Sequence, residues 1–140
     1  MVSCQFKKRE RLVSRNLIET LFNGGGSHSL AAFPLRLIYI KKERTRVEAP
    51  LQVLISVPKK RFRHAVDRNR VKRQVREAFR RHKQSLSEAL PADEQLLLAF
   101  VWLSDRHLPT AAIEQRVTNL LQRVAEHVAT PHAVEMPEKP

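Results

Sequence analysis

The chain has 140 residues, room for one domain and little for a second. Its 42% hydrophobic content supports a packed core and excludes wholesale disorder, while 26 Lys and Arg against 14 Asp and Glu leave a net charge of +12. Such a chain attracts polyanions, nucleic acid first and an anionic membrane surface second. Its one cysteine, Cys4, excludes an internal disulfide and fits a reducing compartment. The opening from Met1 to Lys7 lacks the apolar core of a secretory signal. The longest apolar run, Leu96 to Leu103, is too short to cross a bilayer as a helix. A soluble, cytoplasmic protein is the expectation.

Phe6 to Arg11 form a basic N-terminal segment. A short helix is predicted from Arg15 to Phe22, with Ser14 as N-cap and Ile18, Leu21 and Phe22 on one face. Gly24-Gly25-Gly26 stops it. Phe33, Leu35, Leu37 and Tyr39 then alternate with Pro34, Arg36, Ile38 and Ile40, which reads as a strand. The polar run Lys41 to Pro50 resembles a hairpin loop, and Leu51, Val53, Ile55 and Val57 mark a second strand that Pro58 ends.

Lys59 to Lys83 carries twelve Lys and Arg against Asp67 and Glu77, a net +10 of the chain's +12. The run is patterned. Val71, Val75, Ala78 and Phe79 recur at i, i+4, i+7 and i+8, as in an amphipathic helix with an apolar face for the core. Asn69, Arg73, Arg76 and Arg80 form a separate stripe, with Lys72 beside it. Glu77 is expected to pair with Arg73 or Arg81, and Asp67 to favour the helix start. After Pro91, Gln95 to Leu103 suits a central strand with Trp102 in the core, although periodicity alone leaves a buried helix open. Ile113, Val117, Leu120, Leu121, Val124 and Val128 define a last helix after Pro109. The tail from Thr130 holds three prolines and no pattern, and disorder is expected there. The order, helix, two or more strands, basic helix, strand, helix, is α+β, a small sheet covered by helices. Were the strands flanking the basic helix parallel neighbours, the default crossover would be right-handed.

Arg68-Asn69-Arg70-Val71-Lys72-Arg73-Gln74-Val75-Arg76-Glu77-Ala78-Phe79-Arg80 closely resembles the Arg-Asn-Arg motif of bacterial ribonuclease P proteins. The approach is similar too: Leu54-Ile55-Ser56-Val57, then Lys59-Lys60, then Ala65-Val66, with Lys7-Lys8-Arg9-Glu10-Arg11-Leu12 looking like the family's opening. The resemblance covers about residues 5 to 128. It implies a single α/β sandwich over 1–129 with a tail at 130–140. The implied element order is α-β-β-β-α-β-α, with a mostly antiparallel sheet and a left-handed crossover in place of the right-handed default.

The implied role is that of the protein subunit of ribonuclease P, an endoribonuclease that removes the 5′ leader of precursor tRNA. Its RNA subunit carries the magnesium-dependent hydrolysis, and the protein supplies neither catalytic residues nor a metal site. Arg68, Asn69, Arg70, Lys72, Arg73 and Arg76 match the motif as contacts to the RNA subunit, and Arg80 extends their stripe. Lys59 and Lys60 match paired lysines near the substrate. Phe22 matches an aromatic of the cleft that holds the leader, with Phe33 or Tyr39 beside it; Phe22 serves equally well as a core residue. Ile18 stands where an aromatic is often found, Pro58 replaces a small polar residue, and Arg61 to His64 is one residue longer than in the shortest members.

Arginine suits this role because its planar fork grips phosphate oxygens in pairs. Aromatic and aliphatic groups in a basic cleft permit sequence-tolerant stacking. No spacing of the six histidines suits zinc, no Gly-rich loop is followed by a phosphate-binding lysine, and no acidic cluster resembles a two-metal nuclease centre. A ribosomal or other structural RNA-binding protein of similar fold is the alternative.

Overall fold

The most apolar run of the sequence becomes the strand at the heart of the sheet. The computed structural model describes residues 10–12, 14–23, 25–43 and 49–129. Its elements are α1 (Arg15–Asn23), β1 (His28–Ala32), β2 (Leu35–Glu43), β3 (Leu51–Ser56), α2 (Ala65–Ala89), β4 (Glu94–Trp102) and α3 (Thr110–Ala129). The four strands form one sheet in the order β1-β2-β4-β3, antiparallel except for the parallel β3–β4 pair. Every residue from Gln95 to Phe100 is buried. A strand that is apolar on both faces needs cover on both, and an inner position supplies it.

That preference overturns one expectation. The segments around Leu37 and Val53 are both strands, but they do not form a hairpin, because β4 inserts between them. β2 also runs on through Lys41, Lys42 and Glu43, inside the expected loop, with Lys41 Nζ 3.5 Å from Glu94. At its other end β2 starts at Leu35 rather than Phe33. Phe33 and Pro34 make the turn of a hairpin with β1, through a cis peptide bond. Proline cannot donate to a sheet ladder, so the turn is its compatible place.

Strand alternation sends side chains to two layers. Leu35, Leu37, Tyr39, Val53, Leu98, Phe100 and Trp102 face α2 and α3, joining Val71, Val75, Phe79 and Leu86 of α2 and Ile113, Val117, Leu120 and Val124 of α3. Ile38, Leu97 and Ala99 face the opposite way, onto Leu12 and α1 residues Leu17, Ile18 and Leu21. Each of these large apolar side chains contributes about 1.5–3 kcal/mol by leaving water. Phe79 and Phe100 add an edge-to-face contact at 6.2 Å between ring centroids.

Local bonds fix the helix ends. Ser14 Oγ accepts the Leu17 N–H at 3.4 Å, as an N-cap does, and Ser27 donates its hydroxyl proton to the Leu21 carbonyl near the end of α1. Gln74 Nε2 on α2 donates to Leu108 O and Thr110 Oγ1, which seats the start of α3. The described part of the N-terminal segment, Glu10 to Leu12, lies along the outer edge of β3: Arg11 bridges Val53 in parallel, and the Leu12 N–H bonds Val53 O at 2.9 Å. Lys83 on α2 reaches back to both carboxylate oxygens of Glu10 at 2.8 and 2.6 Å, a nearly buried pair. The expected tail at 130–140 and the basic residues up to Arg9 lie outside the described residues.

Candidate RNA interface

Helix α2 divides its surface into lanes, because successive side chains rotate by about 100°. Val71, Val75, Ala78 and Phe79 are buried as the pattern predicts. Asn69, Arg73 and Arg80 point away from the core. Lys72, Arg76 and Lys83 occupy the flank next to the N-terminal segment, and Arg70, Glu77 and Arg81 the flank toward α3.

The motif residues are not equivalent. Asn69, Arg70 and Arg73 are exposed, Lys72 and Arg76 half-buried, and none of the four cations among them has an acidic partner among the described residues. Arg68 is committed inward: its Nη1 donates to Phe62 O and Arg63 O, both at 2.9 Å, and closes the loop ahead of the helix. Arg80 is paired with Glu77 through Nε at 3.1 Å and through Nη2. Glu77 thus finds Arg80 rather than the expected Arg73 or Arg81. The Arg80 hydrogen bond, followed by the charges of Arg80 and Arg81, holds the Glu77 carboxyl below its ordinary range. Asp67 lies in the first helical turn, as expected, and also meets His107 Nε2 at 3.1 Å.

The second group of candidates separates by face. Phe22 is 41% and Phe33 67% exposed. Tyr39 is instead buried on the α2/α3 side, its hydroxyl 2.8 Å from His127 Nδ1 and its ring stacked on His28. It lies across the sheet from α1 and cannot share a cleft with Phe22. The α1 face retains an open strip. Strand register aligns Ala31, Arg36, Val101 and Ser56 in one row across all four strands. Helix α1 covers the rows of Ile38 and Ile40, whereas Ala31 and Arg36 are exposed and Val101 and Ser56 half-exposed. The strip ends where β3 gives way to the turn carrying exposed Lys59 and Lys60, and Phe33 stands at its other end beside β2. Arg36 was passed over in the sequence as one of the residues alternating with Leu35 and Leu37. Its alternation with buried neighbours marks it as facing the opposite layer, but only the register shows that this part of the layer is open.

The sequence family described as Ribonuclease P matches residues 6–125. The chain belongs to the ribonuclease P protein family. A ribonuclease P protein component of Porphyromonas gingivalis is 40% identical over 122 residues, covering 86% of this chain and 87% of that protein. Another, from Chlorobaculum tepidum, is 38% identical over 95 residues, 63% of this chain and 60% of that one. Among solved structures, the Staphylococcus aureus RNase P protein superposes with a TM-score of 0.60 at 20% identity, over 86% of this chain and 98% of that one. The Thermotoga maritima RNase P protein gives 0.55 at 24% identity, over 81% and 96%. At such identities the structures speak for the fold: three helices around a four-stranded mixed sheet, in the order the family resemblance implies. For a ribonuclease P protein the expected surface is one that receives RNA, and the described residues present two basic surfaces as candidates for it. Among the described residues, no helix is long and apolar enough to cross a membrane.

Proposed function

We propose that the chain is the protein subunit of a ribonuclease P in which an RNA subunit performs magnesium-dependent cleavage and the protein binds that RNA and the 5′ leader of precursor tRNA. The observation that carries the reading is the row of cations on α2, Arg70, Lys72, Arg73 and Arg76, which meet no acid among the described residues, on a helix whose other face is locked into the core. Phosphate oxygens are the natural partners of such a row, and the rigid helix holds the guanidinium forks in register with them. The leader is assigned to the strip on the α1 side, with Arg36, Lys59 and Lys60 for its phosphates and Phe22 and Phe33 for its bases. In this reading the protein lowers the repulsion between two polyanions and orients the leader, while the magnesium ions and the hydrolysis belong to the RNA. The setting is the cytoplasm, where tRNA is matured.

The test is cleavage of a 5′-extended precursor tRNA by the cognate catalytic RNA at low magnesium, with and without the protein. Arg70→Ala/Arg73→Ala is the variant of choice, because Arg68 also closes a loop. The native chain should stimulate cleavage, the variant should not, and the chain alone should be inactive. Cleavage by the protein alone would reject the division of labour, and no stimulation would leave a structural RNA-binding protein.

A further inference from the structure

Between the N-terminal segment, the outer edge of β3 and the near flank of α2 lies a cleft of about 170 Å³ that shares no residue with the strip on the α1 side. Arg11 forms one wall, Lys72 and Arg76 the other, and the edge of β3 from Val53 to Ile55 the floor, with Ile55 the residue whose side chain faces the α2 side. No acid lines it. The floor also carries backbone groups. In β3 the residues alternate in direction: Pro50 O is turned toward β4, where it accepts the Leu96 N–H, and Val53 O is turned outward to Leu12. Two residues past Val53, Ile55 therefore turns its N–H and C=O to the same outer edge.

Three cations over an aliphatic floor, with one donor and one acceptor at the edge, match a nucleotide that has left its stack. A base inside a helix cannot enter, because its faces and edge are already engaged. We propose that this cleft is a single-nucleotide subsite for an unstacked residue of the RNA subunit, with its phosphate among Arg11, Lys72 and Arg76 and its base over the edge of β3 at Ile55. The proposal rests on the reading of the chain as that RNA's partner. The RNA subunit rather than the leader is the source, because Lys72 and Arg76 continue the cationic face of α2, whereas Arg36 and Lys59 lie on the strip of the α1 side.

The Arg11 wall is held from outside the cleft. Leu12 is buried, and Glu10 is locked to Lys83 seven residues beyond Arg76 on the same flank of α2. Glu10 and Lys83 act as positioning residues: they fix the segment that presents Arg11.

The experiment uses the full chain with Cys4→Ser and Ile55→Cys, the new thiol carrying an azidophenacyl photocrosslinker. It is bound at saturation to the cognate RNA subunit, with and without 5′-extended precursor tRNA. Crosslinks should concentrate on one nucleotide of the RNA subunit in both mixtures. In a complex with the unlabelled native chain that nucleotide should lose its reactivity to base-modifying reagents, and Arg11→Met or Glu10→Gln should restore it, the double variant being no worse than either. Crosslinks scattered along the RNA, or placed on the leader, with binding intact would overturn the subsite and leave the broader reading standing. Failure of the native chain to bind the RNA subunit at all would overturn both. Protection that survives Glu10→Gln but not Arg11→Met would remove the positioning role alone.

Discussion

The two halves of helix α2 carry similar positive charge and use it in opposite ways. From Arg70 to Arg76 the cations have no acid against them among the described residues. From Glu77 to Lys83 every cation is paired: Arg80 with Glu77, Arg81 with Glu114 at 3.4 Å, and Lys83 with Glu10. His82 joins the same Glu114 at 2.6 Å. The first half therefore presents charge to a partner, and the second spends it on joining α2 to α3 and to the N-terminal segment. Counting charges along a sequence overstates the interface, because two of the three neutralising acids, Glu114 and Glu10, come from elements distant in the chain.

The sharpest way to break the comparison is to exchange stability for binding. Lys83→Met should cost toward the lower end of the roughly 3–5 kcal/mol that follows loss of one partner of a buried ion pair, since Glu10 is left close to the surface and can rehydrate. Arg73→Ala, on the exposed lane, should change stability by less than about 0.5 kcal/mol. Denaturant unfolding of both variants measures this, and equal losses would mean that the two halves do not differ as described.

RNA affinity should reverse the order. Charge-assisted hydrogen bonds are worth about 1.5–3 kcal/mol each. Arg70→Ala/Arg73→Ala should therefore weaken binding to the RNA subunit by at least about 100-fold and lower the salt slope by about two. Arg80→Ala should cost less than about threefold, because Arg80 is already engaged by Glu77 and offers the RNA little free charge. Titrations at several salt concentrations decide between them. A loss for Arg80→Ala as large as for the double variant would place Arg80 in the contact surface despite its pairing.

What was legible in the sequence follows from the range of the forces involved. The apolar faces of α2 and α3 repeat within one helix, so periodicity identified Val75, Phe79, Ile113 and Val124 as core without knowledge of their neighbours. The continuous apolar run marked β4 as central and Trp102 as buried. Tyr39 illustrates the limit: alternation shows that it shares a face with Leu37, but not which layer covers that face. The hairpin expected between β2 and β3 failed because strand order depends on which strand most needs two neighbours, a comparison across the whole sheet. Arg36 and the acids Glu10 and Glu114 were missed as site or pairing residues for the same reason. Their significance lies in what the fold brings opposite them. The motif itself was legible because its residues act along a single helix.

A gain of binding offers a finer test than a loss. Glu77 follows the cations of the first half within one helical turn of Arg73 and Arg76, and it engages Arg80. Glu77→Gln keeps the shape but removes the charge, so Arg80 should turn to the RNA and affinity should rise a few-fold, with a slightly steeper salt slope. An unchanged affinity would show that Arg80 faces solvent in the complex.

The smallest effect concerns acid stability and belongs to the second half of the helix. Glu114 is lowered from its ordinary value of 4.5, first by its hydrogen bond with His82 and then by the charge of Arg81. Glu77 is lowered likewise by Arg80. A carboxyl whose folded pKa is depressed binds fewer protons folded than unfolded. Its stabilisation is therefore present above the unfolded value and is lost as pH falls through the folded one. Stability should begin to decline near pH 5 and continue below 4.5, and Glu114→Gln should flatten that limb, because the replacement cannot titrate. The change should be small, since both carboxyls lie near solvent, where water screens the pair. Melting temperatures at pH values from 3 to 7 would show it. The first half of α2 provides the control: Arg73→Ala should leave the acid limb unchanged, because no carboxyl among the described residues depends on it.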